Sequence, residues 1–183
     1  MGNTKNYAQA TQYYIGKSGV PTIRGAFNLN GGFRGFELDV QVLYSLGGYA
    51  YDGAYASLMN NGLIGGNNWH ADIRKRWQKP GDITGVPRIS NNHDANVTSA
   101  SSRFVTKADY LSLNNIRIGY SLPASLTQRI GFVDQVSFFV SGDNLALVTV
   151  RDGFNPSTAE SGSSDMYRYS PLSTITAGLK VKF

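Results

Sequence analysis

The side chains best suited to chemistry are two histidine–aspartate couples, His70 with Asp72 and His93 with Asp94. An imidazole beside a carboxylate can hold a divalent metal or relay a proton. The two couples lie far apart along the chain, and there is no cysteine to complete a zinc set. Asp52, Asp82, Asp94 and Asp152 are scattered and lack the alternate-residue spacing of a calcium loop. Neither a Gly-x-Ser-x-Gly elbow nor a P-loop occurs. The residue pattern therefore indicates no catalytic set, no metal and no cofactor. A second group is aromatic: Tyr49, Tyr51, Trp69 and Trp77. Flat rings can stack on the C–H-rich faces of sugars, or they can simply pack against neighbouring loops. Arg74-Lys75-Arg76 is the main run of like charge in a chain of net charge +5. A triplet this short reads as solvated loop charge rather than a nucleic-acid surface.

The elements that must position these residues are strands. The last residues alternate strictly: Ile175, Ala177, Leu179, Val181 and Phe183 are apolar, and Thr174, Thr176, Gly178, Lys180 and Lys182 fall between them. Period-2 alternation marks a strand with two different solvents on its two faces. Four earlier segments read the same way, giving strands at about 22–30, 33–46, 109–122, 135–148 and 173–183. In the first, Ile23, Gly25, Phe27 and Leu29 oppose Arg24, Asn28 and Asn30; Gly31-Gly32 is expected to make the hairpin turn. In the second, Phe36, Leu38, Val40, Val42, Tyr44 and Leu46 oppose Glu37, Asp39, Gln41 and Ser45. In the third, the phase slips at Asn114-Asn115, where a β-bulge would return Leu111, Leu113, Ile116, Ile118 and Tyr120 to one face. Tyr110 and Tyr120 are expected to mark two interfacial aromatic girdles. Between the strands, connections alternate short and long. The long ones are 47–108, with a short helix expected near His70–Trp77, and 149–172. A structureless stretch of about sixty residues is anomalous inside a compact domain and natural as an external loop.

Composition agrees with this reading. The chain has 183 residues, 21 Gly and 11 Tyr, and 41% hydrophobic residues. No apolar run is long enough for a membrane helix of about twenty residues. A membrane strand needs none, since alternation dilutes its hydropathy. An eleven-residue strand tilted by about 45° spans about 25 Å, the height of the apolar band of a transmembrane barrel. On that basis Lys180, Lys182, Glu37, Asp39 and Arg117 are expected to face a water-filled lumen, where a charge network including Arg117 could form. The opening residues lack a basic region followed by an apolar one, so no secretory signal is read there.

Several stretches also carry a resemblance. "YLSLNNIRIGYSLP" (110–123), "FFVSGDNLALVT" (138–149) and "FRGFELDVQVLYSLGGYAYDGAYASLM" (33–59) resemble barrel strands of SusC/RagA-type TonB-dependent outer-membrane transporters. "NNWHADIRKRWQKPGDITGVPR" (67–88) resembles an extracellular loop of the same family. One departure stands at Asn155-Pro156-Ser157, where the family usually has Asp-Pro-Glu, so no role is carried over to it. The resemblance implies an all-β, antiparallel up-and-down transmembrane β-barrel. This chain would hold about its last five strands with long extracellular loops, and neither plug domain nor signal peptide. The complete barrels have about 22 strands. Energy is implied to come through TonB, and a SusD-like lipoprotein to cover the extracellular mouth. The substrates implied are oligosaccharides or peptides, and the location the bacterial outer membrane. The closing strand matches an assembly signal at Thr176, Gly178, Val181 and Phe183, read by the barrel-assembly machinery through strand pairing. Tyr49, Tyr51, Trp69 and Trp77 become candidate contacts for substrate or lid. The competing reading of the residues is a soluble β-sandwich, a glycan-binding or adhesin-like module.

Overall fold

The computed structural model describes residues 6–62, 64–66, 68–91, 96–127, 129, 131–158, 163–164 and 170–183. Five long strands form one sheet: β1 (Ile23–Phe33), β2 (Phe36–Leu46), β5 (Tyr110–Ser121), β6 (Gln135–Thr149) and β8 (Thr174–Lys182). They lie in that order, each antiparallel to the next, and the sheet stays open. A second, three-stranded sheet, in the order β4-β3-β7, is built from β4 (Val105–Lys107), β3 (Tyr49–Asp52) and β7 (Ser163–Ser164). The described residues also hold two short α-helices, α1 (Gly53–Leu58) and α2 (Ala124–Thr127). No described helix is long and apolar enough to cross a membrane.

Register gives the sheet its chemistry. Directly paired residues share a face, and the apolar parities line up across all five strands. One rung runs Leu29–Val40–Ile116–Gly142–Ile175, and the next Phe27–Val42–Leu113–Ala146. Among the described residues this face is left open: Leu29 is 50% exposed, Val140 53% and Ile175 77%. A soluble sheet buries such a face against a second layer. An uncovered apolar face of this extent needs a non-aqueous solvent. At the end bearing the short connections, Phe33, Phe36, Tyr120 and Phe138 pair in sequence across four strands. The Phe36 and Tyr120 rings lie 4.5 Å apart. Phe183 stacks nearly parallel on Phe132 at 6.4 Å at this same end. Aromatic rings gathered at one level make an interfacial girdle.

Three expectations change here. The first hairpin turns at Arg34-Gly35, not Gly31-Gly32: both central residues have positive φ, +48° and +88°, as a two-residue hairpin loop requires. The reason is strand length. Turning at Arg34-Gly35 pairs eleven residues with eleven, Ile23 to Leu46 and Phe33 to Phe36. Turning at Gly31-Gly32 would have left nine facing fourteen. Second, Tyr110 does not belong to a girdle. The expected bulge is present, with Asn114 the extra residue of β5 against β2. It puts Tyr110, paired with Ser45 and Thr149, on the polar face, while Tyr120 keeps its place in the aromatic rung. Third, the long connection is not structureless. It builds β3, α1, β4 and a 3-10 turn at Ala71–Lys75, inside the segment expected to be helical. Met59, Phe104, Ala56 and Ile73 form its buried core, with Tyr51, Tyr55, Trp69, Val86 and Ile89 packed around them. This folded cap sits at the end of the sheet opposite the aromatic rung.

The two faces should respond oppositely to charge. Val40→Lys, near mid-height on the apolar face, is expected to weaken folding into lipid vesicles by about 2–4 kcal/mol. Ser141→Lys, on the polar face, should change it by no more than about 0.5 kcal/mol. Urea titration of the complete receptor inserted in vesicles measures both, and equal penalties would contradict the assignment of faces.

Candidate functional site

The polar face carries hydrogen-bonded rungs. Asn114 Nδ2 donates to Gln41 Oε1 at 2.7 Å, and Gln41 Nε2 donates to Asn28 Oδ1 at 3.0 Å. On the other side of the bulge Asn115 Nδ2 donates to Asp143 Oδ1 at 2.6 Å. One rung further on, Asn30 Nδ2 donates to Asp39 Oδ1 at 2.5 Å. Arg117, in register between Asp39 and Ser141, makes no ion pair among the described residues. Its guanidinium lies over the Phe139 ring, 4.5 Å from the centroid. The expected network around Arg117 is thus a cation–π contact beside amide–carboxylate rungs. Glu37, Arg117, Lys180 and Lys182 line a small hollow at the short-connection end.

Gly178, the glycine of the closing strand, has a packing role that alternation alone did not show. The Phe139 ring from β6 occupies the place where a Cβ at 178 would stand. Phe139 pairs with Gly178 on one side and Gly119 on the other. A large ring can therefore lie flat against the sheet and support Arg117 from below. Phe183 closes the same strand beyond β8, and its ring is 77% exposed. Thr176 and Val181 pair with Ser141 and Val136 on opposite faces.

The cap forms the other half of the candidate region. Asp52 ends β3, and its carboxylate accepts the Tyr55 N–H at 2.8 Å, capping α1. The same buried carboxylate forms an ion pair with Arg151, which follows β6. The Arg151 guanidinium stacks 3.9 Å over the Tyr55 ring centroid. Burial lowers its pKa from the ordinary guanidinium value. Tyr55 Oη in turn donates to Asp72 Oδ2 at 2.9 Å. Burial first, then this hydrogen bond, pushes the Tyr55 phenol up to about 12. Lys75 Nζ lies 2.6 Å from the other Asp72 oxygen and is the leading cause that holds this carboxyl below its ordinary range. His70 Nδ1 accepts the Asp72 N–H at 3.1 Å. The His70–Asp72 couple is thus occupied by cap bonding. Among the described residues no group of three His, Asp or Glu side chains could hold a metal. His93 and Asp94 lie outside the described residues.

The four candidate aromatics do not converge. Tyr51 meets Phe104 edge-on at 6.1 Å, and Trp69 packs on the same core, so both help build the cap. Trp77 is half-buried, and its backbone N–H donates to Val86 O at 2.9 Å. Tyr49 sits at the base, with Lys17 Nζ 4.3 Å from its ring centroid and 3.1 Å from its Oη. A hollow of about 350 Å³ opens where cap and polar face meet, between Arg24, Ser45 and Tyr110 on one side and Pro21, Ala50 and Pro156 on the other. None of the four candidates lines it.

No protein-family model matches the chain. Over 112 residues it is 33% identical to the TonB-dependent receptor P39 of Formosa agariphila, a stretch that is 58% of this chain and 11% of that protein. Over 177 residues it is 27% identical to TonB-dependent receptor P3 of the same organism, 89% of this chain and 16% of that one. Among solved structures, the RagAB peptide importer in its closed-closed state matches with a TM-score of 0.76 at 24% identity, covering 95% of this chain and 19% of that one. The RagAB peptide transporter matches at 0.75 with the same coverage. The chain therefore spans a fifth or less of the proteins it resembles. The class defined by fold and faces is the antiparallel up-and-down transmembrane β-barrel, of which this chain holds five strands. Within that class it resembles the C-terminal barrel portion of a SusC/RagA-type TonB-dependent outer-membrane transporter.

The Gly178 socket yields a double-mutant test. Gly178→Ala should destabilise the barrel by about 1–3 kcal/mol, because the added methyl overpacks against Phe139. In the Phe139→Ala background the same change should cost less than about 0.5 kcal/mol. Denaturant midpoints of the four proteins decide it; equal costs in both backgrounds would remove the packing role.

Proposed function

We propose that the chain serves as wall, extracellular cap and closing strand of an active outer-membrane importer of nutrient oligomers, oligosaccharides or peptides, powered through TonB. The observation that carries this reading is the pairing of one exposed apolar face, shared by all five strands, with one polar face whose side chains hydrogen-bond across β1, β2, β5 and β6. Such a sheet has lipid on one side and a solute path on the other. The cap lies at the end with the long connections, where a SusD-like lipoprotein would seat. The role is mechanical and electrostatic rather than enzymatic. A soluble glycan-binding sandwich requires a second sheet over Leu29, Val140 and Ile175, and these side chains are open.

On this reading five strands do not transport alone. The β1 and β8 edges carry unpaired backbone groups that lipid cannot satisfy. Thr176, Gly178, Val181 and Phe183 act in assembly, with Phe183 presented at the membrane interface beside Phe132.

Removal of Phe183 from the complete receptor should slow assembly and raise its degradation. Immunoblots of outer-membrane fractions measure this, and a normal level of heat-modifiable folded receptor would refute the assembly role. The 183-residue chain by itself should give no conductance in planar lipid bilayers and no substrate uptake; a stable pore from it would refute the partial-barrel reading.

A further inference from the structure

One charged feature of the cap is left without a partner by the fold. The 69–89 segment carries two carboxylates, Asp72 and Asp82. Asp72 is taken by Tyr55 and Lys75. Asp82 Oδ2 accepts the Gln78 and Lys79 N–H groups at 2.9 and 3.0 Å. Arg74 and Arg76 make no ion pair among the described residues. The 3-10 geometry of Ala71–Lys75 explains the division. With three residues per turn, Asp72 and Lys75 stand one above the other and pair, while Ala71 and Arg74 form a separate row. Arg74 and Arg76 border a shallow hollow of about 480 Å³ with Trp69, His70, Ile73 and Ile89.

We infer that this hollow binds carboxylated sugar units of an acidic oligosaccharide. The inference rests on the importer reading above and specifies the substrate class that the cap selects. Planar guanidinium groups take a carboxylate through two parallel hydrogen bonds. Trp69 and Ile89, both half-buried, supply the apolar surface that the C–H face of a pyranose covers. A uronic acid joins those two features on one rigid ring. An acidic peptide matches less well. None of the lining residues belongs to a strand, so a peptide backbone finds no ladder to extend.

The test uses the complete receptor in detergent, titrated calorimetrically with tetragalacturonate and tetramannuronate. Maltotetraose and tetraglutamate serve as comparators. At least one of the two uronates should bind, more weakly as salt rises, and about tenfold or more tighter than maltotetraose or tetraglutamate. Arg74→Gln/Arg76→Gln should weaken that binding by about tenfold or more. Both arginines lie outside the buried core, and heat-modifiable electrophoretic mobility verifies that the variant barrel is folded. Absence of uronate binding, equal binding of maltotetraose, tighter binding of tetraglutamate, or an unchanged affinity in the folded double variant overturns the inference. Any of these in a receptor that still assembles in the outer membrane leaves the importer reading intact. Failure of that reading shows earlier, as a receptor that does not reach the membrane.

Discussion

A backbone in contact with hydrocarbon must satisfy every N–H and C=O from within the protein. That constraint governs the sheet. It requires strands of matched length, which is why the first hairpin turns at Arg34-Gly35 despite two adjacent glycines upstream. It also requires an unbroken parity, since one slipped residue would turn a whole strand's apolar set toward water. The bulge meets that requirement. Against β2, Asn114 is the extra residue; against β6, Asn144 and Leu145 together face the single Asn114. Asn144 takes a left-handed φ of +51° to permit it. The irregularity thus passes from strand to strand, and the apolar residues of β5 stay on one side throughout. The polar side chains at the bulge, Asn114 and Asn115, then bond to Gln41 and Asp143 on the two neighbouring strands.

The polar face can in turn hold features that lipid would forbid. Arg117 rests on Phe139, and Phe139 rests on Gly178. The closing strand therefore packs against the interior as well as ending the sheet. The glycine to which an assembly role is proposed is thus a packing socket in the folded sheet.

Much of the wall was legible in the sequence because each strand's periodicity is local. Ile175 to Val181 and Phe36 to Leu46 declare their faces within ten residues, and Asn114-Asn115 betrays its bulge by a phase slip. The turn was not legible, because Arg34 adopts a conformation that only strand-length matching selects. Nor was the cap. Its fold depends on contacts such as Asp52 with Arg151 and Asn61 with Pro87 and Arg88, between residues far apart along the chain and set in Gly- and Asn-rich segments with no periodicity. What the sequence could not show is that Tyr51 and Trp69 pack, partly buried, against Met59 and Phe104 once the long connection folds, while Trp69 also borders the hollow beside Arg74 and Arg76.

The cap is fixed to the wall at its base and at its flank. At the base, Gly47 N–H donates to Asp109 Oδ1 at 2.6 Å and Ala108 N–H to Gly48 O at 2.9 Å, closing the long connection where it leaves β2 and enters β5. At the flank, Arg151 reaches from the end of β6 into the cap and stacks on Tyr55. A buried ion pair of this kind adds little net stability, because desolvation offsets its attraction, but losing either partner strands a charge. Its consequence here is geometric. Two connections far apart in sequence become one body over the polar face, and the hollow between Tyr110 and Pro156 lies at their common seam. From Arg151 the contacts continue through the Tyr55 ring and its hydroxyl to Asp72, in the 3-10 turn that carries Arg74.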